Sequence, residues 1–177
     1  MQLTVGQKVA YPNQGACLVE AFKQQTVGTR VINGYTLRVL NDNSTIFIPE
    51  ENADTVGLRP LINQSQCRKL IDKLAEDFEP LCGDWKTRSR QFNEKLRSGD
   101  VFQIADVFKM LTFLSHEKKL SFREQTLLER SKVLIVSEIT NARAKGHAPA
   151  ESEIIGLVES ACLKHSFTKS RTMAAVH

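Results

Sequence analysis

The chain has 177 residues, which suits one large domain or two small ones, and its 41% hydrophobic and 25% charged residues are an ordinary globular balance. No apolar run approaches the length needed to cross a bilayer, and Met1 to Gly6 lacks the basic and apolar regions of a signal peptide, so a cytoplasmic protein with no membrane partner is expected. The net charge of +4 is unevenly spread: residues 1–64 hold five basic and five acidic side chains, so the whole excess lies in the rest of the chain. A neutral first part and a basic second part suggest two jobs, with any polyanionic partner on the second.

The first sixty residues read as short strands. Val5 to Tyr11 ends at the turn cluster Pro12-Asn13-Gln14-Gly15, and Ala16 to Thr26 carries the β-favouring Val19 and Phe22 before Gly28. Val31-Ile32 then meets Asn33-Gly34, the dipeptide best suited to a tight hairpin turn, because both central residues can take positive φ. Tyr35 to Leu40 alternates at Tyr35, Leu37 and Val39. After the turn at Asn41–Ser44, Thr45 to Ile48 forms another strand, stopped by Pro49. Such spacing predicts a small twisted sheet or barrel.

From Ser65 the spacing becomes helical. Ser65 is a candidate cap for a helix whose face carries Leu70, Ile71, Leu74 and Phe78. Pro80 to Gly83 interrupts the pattern. Asp84 then caps a helix with Trp85, Phe92 and Leu96 on one face, ended by Gly99. Asp100 opens a third helix with the stripe Val101, Ile104, Ala105, Phe108, Leu111 and Leu114, and Ser121 with Glu124 forms a capping box before the next. That helix carries Leu127, Leu128, Leu134, Ile135 and Ile139 toward Gly146. Pro149 precedes a short helix with Ile154, Ile155, Leu157, Val158 and Ala161. The fold class is therefore α+β: a small β domain over residues 1–62, a helical domain over 65–165 and a frayed tail over 166–177.

Patterns of catalysis are missing. The four histidines and the four cysteines (Cys17, Cys67, Cys82 and Cys162) show no metal-ligand spacing, so no metal and no cofactor is expected. There is no nucleophile elbow, phosphate-binding loop or dinucleotide fingerprint. The acids Glu50, Glu51 and Asp54 read as a solvated loop, and the cysteines as buried free thiols. The chain is not expected to be an enzyme. One thiol-dependent alternative would use Cys82 near Lys86.

The basic segment is more informative. Lys86, Arg88, Arg90, Lys95 and Arg97 face a single acid, Glu94. Cations at a helix start oppose the macrodipole, and an external phosphate near that end offsets the cost. The only tryptophan, Trp85, stands at the same start. An aromatic there can insert at a base step or stack on an unpaired base. Equally, Trp85 can begin a core stripe beside a merely solvated basic face.

Taken together, these residues resemble a family. Val5 to Gly15 is similar to the start of the CarD/CdnL family of bacterial transcription regulators, as is the stretch from Ile48-Pro49 through Val56-Gly57-Leu58-Arg59. In the helical half the likeness lies in Trp85 with Arg88, in Ser98-Gly99-Asp100-Val101-Phe102, and in Leu120-Ser121-Phe122 with Glu124. The opening motif alone is shared with the polymerase-interacting domain of the transcription-repair coupling factor. The resemblance implies a Tudor-like or SH3-like β domain that docks on the β subunit of RNA polymerase. It also implies a helical domain that meets promoter DNA, without sequence specificity, at the upstream edge of the transcription bubble.

On that likeness Trp85 wedges into the minor groove, Arg88 and Arg90 hold the phosphate backbone and the open complex is stabilised; from the charge pattern, Lys86, Lys95 and Arg97 are expected to bind DNA with them. Polymerase docking would fall to Gln25, Thr26 and Val27 with Thr45, Ile46, Phe47, Ile48 and Pro49. Some members carry arginine where this chain has Gln25 and Phe47, which implies a more apolar or a weaker contact. The free protein is expected to be a monomer. The competing reading is an RNA- or ribosome-associated binding module built on an SH3-like barrel.

Overall fold

A computed structural model describes residues 2–78, 84–142 and 149–174; for Val27 and residues 166–174 it describes the backbone alone. The N-terminal part is one antiparallel sheet. Its strands are β1 (Lys8–Tyr11), β2 (Gly15–Val27), β3 (Arg30–Val39), β4 (Thr45–Pro49) and β5 (Arg59–Pro60), in the spatial order β4-β3-β2-β1-β5. The helices are α1 (Gln64–Ala75), α2 (Trp85–Arg97), α3 (Val101–Glu117), α4 (Phe122–Ala142) and α5 (Glu151–Ala174). Among the described residues no helix is long and apolar enough to cross a membrane.

The period-two pattern sets the faces of the sheet. Val19, Tyr35, Leu37, Val39 and Ile48 are buried on one side and form a small core with Val9, Cys17 and Leu58. The registers Phe22↔Tyr35, Ala21↔Thr36 and Thr36↔Phe47 then place Ala21, Lys23, Gln25, Ile32, Gly34, Thr36 and Phe47 on the other side. The helices build a second, larger core from Leu70, Leu74, Phe92, Leu96, Phe108, Leu111, Phe113, Ile135, Ile139, Ile154 and Val158. Each such side chain contributes roughly 1.5–3 kcal/mol when fully buried.

Several expectations need correcting. Asn33-Gly34 is not a turn: both residues lie inside β3, and the hairpin reverses at Gly28-Thr29 instead. The cap of α1 is Asn63 rather than Ser65, and it forms a reciprocal box with Gln66. The helix after Pro149 is longer than expected: α5 continues past residue 165 to Ala174, with neither glycine nor proline after Gly156 in that stretch. Residues 79–83, which include Pro80 and Cys82, and residues 143–148, which include Gly146, lie outside the described residues.

Candidate functional site

The first turn of α2 is built by local chemistry. Asp84 takes an extended conformation, and its carboxylate accepts a bond from the Thr87 amide at 2.9 Å. The hydrogen bonds from Thr87 hold the Asp84 carboxyl below its ordinary range. Phe92 and Leu96 are buried, so the helix is anchored by its C-terminal half.

Trp85 sits at the first helical position, half-buried and packed against the helical core. It is less exposed than an aromatic free at a helix start would be, because it shares the inward side of α2 with Phe92 and Leu96. Part of the indole nonetheless remains at the surface, next to the cations.

Those cations separate by helical geometry. At 100° per residue, Lys86, Arg90 and Arg97 fall within about 40° of one another, whereas Lys95 points to the opposite side of the helix. Lys86, Arg90 and Arg97 are exposed, and Arg90 makes a loose 3.9 Å pair with Glu94. Arg88 is half-buried. Lys95 lies away from the stripe of Lys86, Arg90 and Arg97: its ammonium is 3.0 Å from Asp106, which also holds Lys73 at 2.8 Å. Burial opposes ionisation of Asp106, but the bonds from Lys73 and Lys95 outweigh it and lower its pKa.

Beneath this helix lies a cluster that sequence patterns did not reveal. The buried Lys109 of α3 donates to the carbonyl of Lys73, 2.6 Å away, and to that of Glu76, closing the end of α1. Its ammonium also lies 5.2 Å from the centre of the Phe78 ring. Desolvation lowers the Lys109 pKa. Phe78 stacks on His165 of α5, and His165 Nδ1 lies 2.7 Å from Asp77. The end of α1 and the Asp77-Phe78 pair just beyond it are thus held by α3 and α5. The signal was present in the lone lysine inside the apolar α3 stripe, though not the identity of its partners.

The expected docking residues divide into two groups. Gln25, Thr26 and Val27 lie at the tip of the β2–β3 hairpin, while Thr45 to Pro49 form β4. Strand β3 runs between them, and the registers Gln25↔Ile32 and Phe47↔Thr36 also offset them along it, so Gln25 and Phe47 stand roughly 16 Å apart on the sheet. Gln25 and Phe47 share the face away from the core, whereas Ile48 is 2% exposed and belongs to the core. The Ile48 side chain therefore faces the core and not the outward side of the sheet. Among the described residues no strand pairs with the outer edge of β4.

No group of three or more metal-ligating side chains occurs among the described residues. Burial pushes the thiol pKa of Cys17 up to about 12, helped by Asp42, and that of Cys162 up to about 11. Neither thiol is an activated nucleophile.

Comparison with known proteins matches both halves. The family described as "CarD-like/TRCF RID domain" matches residues 3–62, and "CarD, C-terminal domain" matches residues 69–155. A Bacillus subtilis (strain 168) protein named "Putative transcription factor YdeB" is 22% identical over 135 residues, covering 76% of this chain and 88% of its own. The solution NMR structure of the 72-residue N-terminal domain of Myxococcus xanthus CarD is 36% identical. It covers 33% of this chain and 79% of that one, with a TM-score of 0.29. With a polymerase-interacting type of domain followed by the CarD C-terminal domain in a single chain, the protein belongs to the CarD/CdnL family of transcription regulators that bind RNA polymerase.

Proposed function

We propose that the sheet docks on the β subunit of RNA polymerase and that α2 then presents Trp85 to the minor groove at the upstream edge of the promoter bubble. The observation that carries this reading is the start of α2, where a half-buried indole stands beside exposed Lys86 and Arg90, the beginning of a stripe that runs to Arg97 at the helix end. The buried part of the ring holds it in place, and the cations beside it suit phosphates. Docking would use the free backbone edge of β4 and the outward face carrying Phe47 and Gln25. Catalysis has no part in it.

Tethering to polymerase raises the local concentration of the helical domain at the junction. The free protein then needs only weak affinity for DNA, most of it from phosphate contacts. Trp85 favours the opened junction over closed duplex, and about 1.4 kcal/mol of such preference shifts the open-to-closed ratio tenfold. The test is the lifetime of open promoter complexes formed with the parent protein and with Trp85→Ala. The variant is expected to bind polymerase normally and to lose the lifetime gain. Equal lifetimes would refute the wedge.

A further inference from the structure

We infer that Arg59 and Glu138 act as a positioning pair that fixes the angle between the sheet and the helices, and so sets where Trp85 stands relative to docked polymerase. The inference rests on the two-contact reading above.

Among the described residues the apolar core of the sheet and that of the helices share no residue. Directional polar contacts bridge the two, beside the apolar side chains of Tyr11 and Pro12 that meet Val101, Ile104 and Leu134. Arg59, in the last strand, donates from Nη1 and Nη2 to the two carboxylate oxygens of Glu138 at 2.8 and 3.1 Å. The same guanidinium donates from Nε and Nη2 to the carbonyl of Gly99 at 3.0 and 2.8 Å. The Glu138 side chain is 4% exposed, and its Oε1 also accepts from the Ile62 amide at 2.9 Å. One carboxylate on α4 therefore ties together the sheet and the chain leaving it. Through Arg59, it also reaches the turn that ends α2.

That turn is the lever. Gly99 has φ +70, and a Cβ built on it would lie 2.9 Å from Cγ of Pro12 in the β1–β2 turn. The foot of α2 thus rests directly on the sheet, with Trp85 at the far end of the same helix. Nearby, Ser137 Oγ accepts from the Ala16 amide at 3.1 Å, and Lys8 donates to Asn141 at 3.0 Å. Tyr11, Pro12 and Gly99 close against Val101, Ile104, Leu134 and Glu138 with only about 10 Å³ left between them, while a wider cleft of about 470 Å³ opens on the side of Arg59, Gly99 and Phe102. A bidentate fork restricts rotation as well as distance, which an apolar contact would not do.

The experiment compares the parent with Glu138→Gln, which keeps shape but removes the charge. Three functional readouts are needed: affinity for polymerase, affinity of the free protein for bubble-junction DNA, and open-complex lifetime. A fourth is structural, the distance distribution between spin labels at the exposed positions Gln24 and Asn93, each changed to Cys in a Cys82→Ser background. The two affinities are expected to stay within about twofold of the parent. The lifetime gain should fall roughly tenfold, equivalent to about 1.4 kcal/mol of lost preference, and the label distribution should broaden.

If Glu138→Gln melts below the assay temperature, the pair Arg59→Met with Glu138→Leu replaces it, since that change leaves no unpaired buried charge. A narrow distribution with an unchanged lifetime overturns the inference. So does a lifetime loss explained by lower affinity for either partner alone. Failure of the Trp85 reading would be separate, because the label distances report on the joint whether or not DNA is engaged.

Discussion

The Phe47 ring lies across Gly34 of the neighbouring strand: a Cβ built on Gly34 would stand 2.6 Å from its Cζ and closer still to the Ile48 carbonyl oxygen. The glycine is thus required by what crosses it rather than by a turn. Gly34→Ala is expected to destabilise the sheet by about 1–3 kcal/mol, the usual cost of overpacking. Because the tighter clash is with backbone, adding Phe47→Ala should recover only a minor part. Urea denaturation of the single and double variants measures this. Full recovery in the double variant would show that the ring alone requires the glycine.

This contact also explains which parts of the fold were legible. The caps at Asp84 and Asp100 and the Ser121–Glu124 box were readable because each spans two or three residues and needs nothing from the rest of the chain. The hairpin turn was misplaced because Asn33-Gly34 has the stronger local turn preference, while its actual role depends on Phe47, thirteen residues away in β4. Strand and helix faces followed from period, so both cores could be anticipated. The Arg59–Glu138 joint joins residues 79 apart and left no local trace. Helical spacing alone could have separated Lys95 from Lys86, Arg90 and Arg97, had its phase been followed around α2.

That separation predicts a difference in salt dependence. For free protein on bubble-junction DNA, Lys86→Ala, Arg90→Ala and Arg97→Ala should each flatten the plot of log affinity against log salt by up to about 0.9, one phosphate contact each. Lys95→Ala should leave the slope unchanged, because its ammonium is engaged with Asp106. Its effect should instead be on stability, a loss of up to about 1 kcal/mol for a partly exposed pair. Titrations over a range of salt concentrations distinguish the four variants. A slope change in Lys95→Ala equal to the others would mean that Lys95 leaves Asp106 for the DNA.

Glu124 predicts an acid-sensitive part of the stability. The residue is 2% exposed at the start of α4; its Oε2 accepts from the Ser121 amide at 2.7 Å and hydroxyl at 2.8 Å, and its Oε1 accepts from Lys118 at 2.8 Å. Burial works against its ionisation, but the bonds from Lys118 and Ser121 outweigh it and hold the carboxyl below its ordinary 4.5. The unfolded chain therefore binds the proton more readily than the folded one. The stabilisation is complete above the unfolded value and is lost as pH falls through the folded value. Glu124→Gln should be less stable than the parent at pH 7, having lost a charge-assisted pair. Between about pH 5 and pH 3 its stability should decline less steeply, because one depressed carboxylate has been removed and the contribution of Asp106 remains in both proteins. Urea midpoints across that range give the comparison. Parallel declines for parent and variant would mean that Glu124 titrates alike in the folded and unfolded chain, and that its buried bonds serve only to shape the turn between α3 and α4.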